Sequence, residues 1–174
     1  DDGQLTAAGV KDNVVQLDET HANAIARSLE YATFTVSSME TKPYRRRPVP
    51  PFTTSTLQQT AGNRLGMSSR QTMRAAQGLY ENGFITYMRT DSVTLSQEAI
   101  AAAREAVSRH FGEKYLSDAP KQYATKTAGA QEAHECIRPA GAHFRDPAEI
   151  ATKVPADQLK LYTLIWQRTL ACQM

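Results

Sequence analysis

Cysteine is almost absent from this chain. Cys136 and Cys172 are the only two in 174 residues, and no Cys-x-x-Cys spacing occurs. That excludes a disulfide framework and a cysteine-built zinc site, and it suits a reducing, cytoplasmic setting. No apolar run approaches the roughly 20 residues that a membrane helix requires, so no membrane partner is expected. There is no Gly-rich phosphate loop and no Ser-His-Asp order, which removes the commonest nucleotide-binding and acyl-transfer signatures. A signal peptide is lacking, and the chain opens at Asp1 rather than Met; the expectation is a piece of a larger protein. What is present, 41% hydrophobic and 22% charged residues, is the composition of a chain that folds around a core.

The net charge of +2 hides an uneven distribution. Residues 1–30 carry six acidic side chains and two basic ones. Residues 42–89 carry eight basic side chains (Lys42, Arg45, Arg46, Arg47, Arg64, Arg70, Arg74 and Arg89) against one acidic, Glu81. Such a stretch suits a polyanion, and it equally suits a solvated basic face.

The chain divides at its prolines. Residues 18–30 predict a short helix with Ala22, Ile25, Ala26 and Leu29 on one face. Residues 32–39 alternate, with Phe34 and Val36 on one side, and predict a strand. Pro43, Pro48, Pro50 and Pro51 then forbid helix and most ladder pairing, so this stretch is expected to be an extended connector and a domain boundary. Beyond it the pattern is helical. Ser55 is the expected cap of a helix carrying Leu57, Ala61 and Leu65, which Gly66 closes. Ser68 or Ser69 caps the next, which ends at Asn82-Gly83. On that helix Met73, Ala76 and Leu79 or Tyr80 face inward, while Arg70, Arg74, Gln77 and Glu81 form one polar stripe. Residues 84–88 are apolar and extended. Ser96 caps a helix running to about Phe111, Asp146-Pro147 opens a short one, and Pro155 opens a last helix with Leu159, Tyr162, Ile165, Trp166 and Leu170 as its apolar stripe. The fold class expected is mainly α with a small β component.

The most specific local feature is Tyr87-Met88-Arg89-Thr90-Asp91-Ser92. A tyrosine behind an apolar lead-in and before a polar run is placed to present its hydroxyl at the edge of a core, although a packed tyrosine fits the same pattern. In extended geometry Arg89 leaves the same face as Tyr87. A guanidinium beside a phenol suits a phosphodiester, neutralising its non-bridging oxygens. His134 with Glu132 and Glu135 is a weak metal signal, and an ordinary solvated histidine accounts for it as well.

Three stretches carry a resemblance to a known family: Pro51-Phe52-Thr53-Thr54-Ser55-Thr56-Leu57-Gln58-Gln59; Gly83-Phe84-Ile85-Thr86-Tyr87-Met88-Arg89-Thr90-Asp91-Ser92; and Gln131-Glu132-Ala133-His134-Glu135-Cys136-Ile137-Arg138-Pro139. Their order and spacing resemble the type IA DNA topoisomerases. The likeness continues into the Leu-Ile-Trp-Gln-Arg and Ala-Cys-Gln-Met near the end and covers essentially the whole chain. Met88 after the tyrosine resembles the bacterial topoisomerase I members.

The resemblance implies that Tyr87 is the nucleophile that forms a 5′-phosphotyrosyl bond, and that Arg89 holds the scissile phosphate. It implies that His134 contacts a neighbouring phosphate or orders the site, and that Gln77, Tyr80 and Glu81 line it. Arg70 and Arg74 extend that stripe, for which an ordinary solvent face is the lesser alternative. Thr90 and Asp91 shape the turn and meet the neighbouring domain, and Arg138 either contacts DNA or anchors the loop before Pro139. By the same resemblance, residues 1–50 are the end of an arch-like, strand-containing domain and residues 51–174 a mostly helical domain carrying the tyrosine. The intact protein is then an ATP-independent isomerase that relaxes negatively supercoiled DNA. It is monomeric, cytoplasmic and nucleoid-associated, prefers single-stranded DNA, and uses Mg2+ bound outside these residues. The isolated chain is expected to be inactive. The rival readings are a non-catalytic module that binds single-stranded DNA and a protein-interaction domain with no DNA role.

Overall fold

The computed structural model describes residues 17–44, 46–123 and 134–174. The Thr125–Gly129 stretch and Glu132, noted in the sequence, lie outside the described residues. The chain divides between Tyr44 and Arg45 into two units, within the proline-rich connector and ahead of the 50/51 boundary expected from sequence.

In the first unit α1 spans Glu19–Glu30, capped by Asp18, whose carboxylate accepts the His21 amide at 2.8 Å. None of its residues is buried, and Ile25 and Leu29 on the expected inward face are exposed. The strand expected over 32–39 is not formed. These residues have no ladder partner among the described residues, and Phe34 and Val36 are exposed. Alternation supplies a face, but a strand exists only through hydrogen bonds to a neighbour, and none is offered here.

The second unit is helical. Its helices are α2 (Thr54–Leu65), α3 (Ser69–Glu81), α4 (Gln97–Phe111), α5 (Pro147–Ile150) and α6 (Ala156–Ala171), with a 3-10 turn at Glu113–Tyr115. Helix α6 is the hub and packs against α2, α3, α4 and α5. It buries Leu161, Tyr162, Leu164, Ile165, Trp166, Thr169 and Leu170, a wider face than a surface helix needs. The apolar faces of α2 (Leu57, Ala61), α3 (Ala75, Ala76, Leu79) and α4 (Ile100, Ala103, Val107) close on the same core. Gly66 ends α2 at φ 67°, in the left-handed region that only glycine occupies without strain.

The cap of α2 is Thr53, not Ser55. The Thr53 hydroxyl accepts the Thr56 amide at 3.3 Å while the Thr56 hydroxyl accepts the Thr53 amide at 2.9 Å. This reciprocal box satisfies two helix-end donors at once, whereas Ser55 already lies inside the first turn. Phe52 and Leu57, both fully buried, occupy the flanking positions of a hydrophobic staple. Ser68 closes a second such box with Gln71, which settles the start of α3.

The β component of this unit is two isolated antiparallel bridges, Phe52 with Ile137 and Ile85 with Pro139. The 136–140 segment threads between the entry to α2 and the exit from α3. The Ile137 amide donates to the Phe52 carbonyl at 2.8 Å, the Thr86 amide to the Arg138 carbonyl at 2.9 Å, and the Ala140 amide to the Phe84 carbonyl at 2.9 Å. Cap identity has a direct test. Thr53→Ala is expected to lower unfolding stability by about 1 kcal/mol in chemical denaturation, whereas Ser55→Ala stays within roughly 0.5 kcal/mol of the unaltered chain.

Candidate active site

Tyr87 emerges from the crossing of the three chain segments just described. Burial alternates around it: Ile85 and Met88 are buried, Thr86 half-buried, and Tyr87 and Arg89 exposed. Tyr87 is 43% exposed while Met88 is 1% exposed. The phenol therefore stands outward from a buried base, with Arg89 on the outer side as well.

Two threonine hydroxyls fix that base. On one side, the Thr86 hydroxyl donates to the Cys136 carbonyl at 2.7 Å and accepts the Arg138 amide at 3.0 Å. On the other, the Thr54 hydroxyl donates to the Met88 carbonyl at 2.8 Å and accepts the Thr90 amide at 2.9 Å. The Thr54 amide donates to the Thr90 carbonyl at 2.9 Å. The residues flanking Tyr87 are thus tied to α2 and to the 136–138 segment, so the direction of the phenol is set by the fold. The Tyr80 ring meets it edge-on, with centroids 5.2 Å apart and planes at 66°.

Beside Tyr87 is a pocket of about 280 Å³ lined by Thr86, Tyr87, Thr90, His134 and Glu135. It brings together the phenol and the imidazole from the third sequence stretch. Arg89 is exposed next to Tyr87 and is not among the residues lining that pocket. Asp91 is exposed, while Thr90 shapes the turn by accepting the Ser92 amide on its hydroxyl at 3.1 Å.

The residue after His134, Glu135, is held at both oxygens. One Glu135 oxygen accepts the Ser96 amide at 2.9 Å and the other the Arg138 guanidinium at 2.7 Å. Burial on its own would push the Glu135 carboxyl upward, but the Ser96 bonds and Arg138 outweigh it and hold the group below the ordinary carboxylate range. Arg138 is buried and also donates to the Pro139 carbonyl at 2.9 Å. These bonds tie Arg138 to the loop around Pro139.

The polar stripe on α3 is intact. Gln77 donates to Glu81 at 2.6 Å, on either side of Tyr80, whose ring contact brings the end of α3 to Tyr87. Arg74 and Arg70 are exposed further back along the helix, roughly 9 and 15 Å from Tyr80 by helical rise. Sequence reasoning missed Thr54 and Thr86, and read Ser96 as a helix cap without its part in the site. No periodicity marks them, because each matters through a partner far away in the chain.

The Glu135 contact makes the site acid-sensitive. A carboxyl held below its unfolded value stabilises the fold above that value, and the contribution disappears as pH falls through the lowered one. Stability measured by denaturation is expected to decline below about pH 4.5. Glu135→Gln should flatten that part of the profile, and an unchanged slope would remove Glu135 from the account.

Known proteins resemble this chain over nearly its whole length. A family model described as DNA topoisomerase matches residues 3–174. DNA topoisomerase 1 of Streptomyces coelicolor is 55% identical over 172 residues, covering 99% of this chain and 17% of that protein. DNA topoisomerase 1 of Synechocystis is 57% identical over 161 residues, covering 92% of this chain and 18% of that one. Among solved structures, full-length topoisomerase I from Thermotoga maritima aligns with a TM-score of 0.61 and 44% identity, over 74% of this chain and 21% of its own. The chain spans less than a fifth of the length of these two curated relatives.

Proposed function

The chain belongs to the DNA topoisomerase family, and we propose on that footing that it carries the nucleophile of a type IA enzyme, Tyr87. The observation that supports this most is the outward phenol on a buried, doubly tied base, sharing a pocket with His134. In this reading the Tyr87 oxygen attacks a phosphorus of single-stranded DNA. A bond forms between the phenol oxygen and the 5′-phosphate, the bond to the preceding 3′-oxygen breaks, and that oxygen leaves as a hydroxyl after taking up a proton. The phenolic proton passes to solvent or to a base outside these residues.

Arg89 supplies a positive charge beside the phosphate and lowers the cost of the crowded, doubly charged transition state. His134 offers a ring nitrogen to a phosphate oxygen from across the pocket. Glu135 is not the base in this scheme, because both its oxygens are occupied by Ser96 and Arg138. The covalent bond conserves the energy of the phosphodiester, so resealing runs the same step backward without ATP. While one end stays attached, another strand passes, and negative supercoils relax.

Magnesium, which the family resemblance implies, does not fit the described residues. None of them form a group of three or more His, Cys, Asp or Glu able to hold a metal. No step is assigned to the ion here, and its site is proposed to lie in other parts of the protein.

The direct test uses a labelled single strand and a denaturing quench. Protein carrying this chain in its full length should yield a covalent protein–DNA adduct, and Tyr87→Phe should abolish it. Persistence of the adduct in that variant would overturn the assignment and leave a non-catalytic DNA-binding module as the better account. The 174-residue chain by itself is expected to leave supercoiled plasmid unrelaxed.

A further inference from the structure

Helices α2 and α6 pack against each other and leave a groove between them. Arg168, near the end of α6, donates to the Pro50 carbonyl at 3.2 Å and lies 4.2 Å over the Phe52 ring, both just ahead of α2. Arg64 and Leu65, at the end of α2, share a cavity of about 330 Å³ with Leu159, Lys160, Thr163, Leu164 and Gln167. A second cavity of about 230 Å³, lined by Val49, Arg64, Leu164, Gln167, Arg168 and Ala171, continues it. The two share Arg64, Leu164 and Gln167, so they form one continuous trough.

Among the described residues, the trough is lined by three cationic side chains, Arg64, Lys160 and Arg168, and by no carboxylate. None of the three takes part in an ion pair among the described residues. Burial and the neighbouring Arg64 both disfavour the charged form of Arg168. Two guanidiniums are therefore held close together, one of them partly desolvated, and neither is paired with a carboxylate among the described residues. A fold keeps such an arrangement at a cost that a bound anion would remove. Arg64 lies ten residues along α2 from Thr54, roughly 15 Å by helical rise, so this charge is not part of the pocket beside Tyr87.

We propose that the α2–α6 groove is a second nucleic-acid contact, in which Arg64, Lys160 and Arg168 bind the phosphate backbone of DNA away from the site of strand cleavage. The assignment of DNA rests on the function proposed above, but the groove makes no contribution to the chemical step. Three cations along one trough match the charge that a nucleic-acid backbone repeats at every nucleotide, so the contact is assigned to phosphates. Arg168 is also a structural residue, through Pro50 and Phe52. The exposed pair Arg64 and Lys160 is therefore the one to alter.

The test is the salt dependence of binding, measured by fluorescence anisotropy with a short single strand and, separately, its duplex. Each backbone phosphate contact contributes about 0.7 to the slope of log affinity against log salt for a single strand and about 0.9 for a duplex. The double variant Arg64→Ala/Lys160→Ala should lose about 1.4 from the slope on a single strand, or about 1.8 on a duplex. Whichever form shows the loss is the one the groove holds. On a single strand the variant should bind roughly 25-fold more weakly at 0.1 M salt, with the two curves converging toward 1 M. Tyr87→Phe should leave the slope unaltered. Absence of salt-dependent binding by the unaltered chain, or a double variant with the same slope on both forms, overturns the proposal. If the slope falls as expected but Tyr87→Phe still forms an adduct, the groove stands and the catalytic assignment falls; the converse pair of results separates them the other way.

Discussion

The site depends on the hydroxyls of Thr54 and Thr86. Each both donates and accepts, and together they tie the peptide groups on either side of Tyr87 to two distant parts of the chain. A phenol on a mobile loop would sample many directions, and most would not present its oxygen to a phosphate. Here the direction costs nothing extra at the moment of reaction, because it was fixed when α2, the exit of α3 and the 136–140 segment came together. The buried Met88, Ile85, Phe52 and Ile137 beneath it exclude water from those bonds. That makes each polar contact worth more, and its loss more costly.

A second layer supports the first. Ser96, the cap of α4, shares its amide with Glu135, and Glu135 holds Arg138, whose carbonyl in turn receives the Thr86 amide. Tyrosine, histidine and their supports therefore come from four stretches of sequence that only the fold joins. The basic excess of residues 42–89 also proves not to be one patch. Arg89 stands beside Tyr87, Arg70 and Arg74 lie back along α3, and Arg64 faces the groove with α6. A charge count over a window could not distinguish these surroundings.

The helices of the second unit were legible because their signals are local. Ser68, Ser96, Gly66, Gly112 and Pro155 mark ends within a residue or two, and the stripe on α6 announced its buried face. The Tyr87 motif was legible through its pattern of residue types. What escaped were features defined by partners. Residues 32–39 alternate like a strand but have nothing to pair with among the described residues. Conversely, Phe52 and Ile137 form a bridge that nothing near either residue foretells. Ser55 and Thr53 differ as caps only through the reciprocal bond to Thr56. Thr54 and Thr86 look like any helix-start or turn threonine until their acceptors, more than thirty residues away, are known.

Amide hydrogen exchange reaches the central claim most directly. If Tyr87 stands on a base tied down by the two threonines, the Thr86, Thr90 and Arg138 amides exchange as slowly as those in the middle of α6, opening only with the core. If these amides exchange at the rate of exposed loop positions such as His143 and Arg145 while α6 stays protected, the base is not fixed, and the account of how the phenol is presented is wrong.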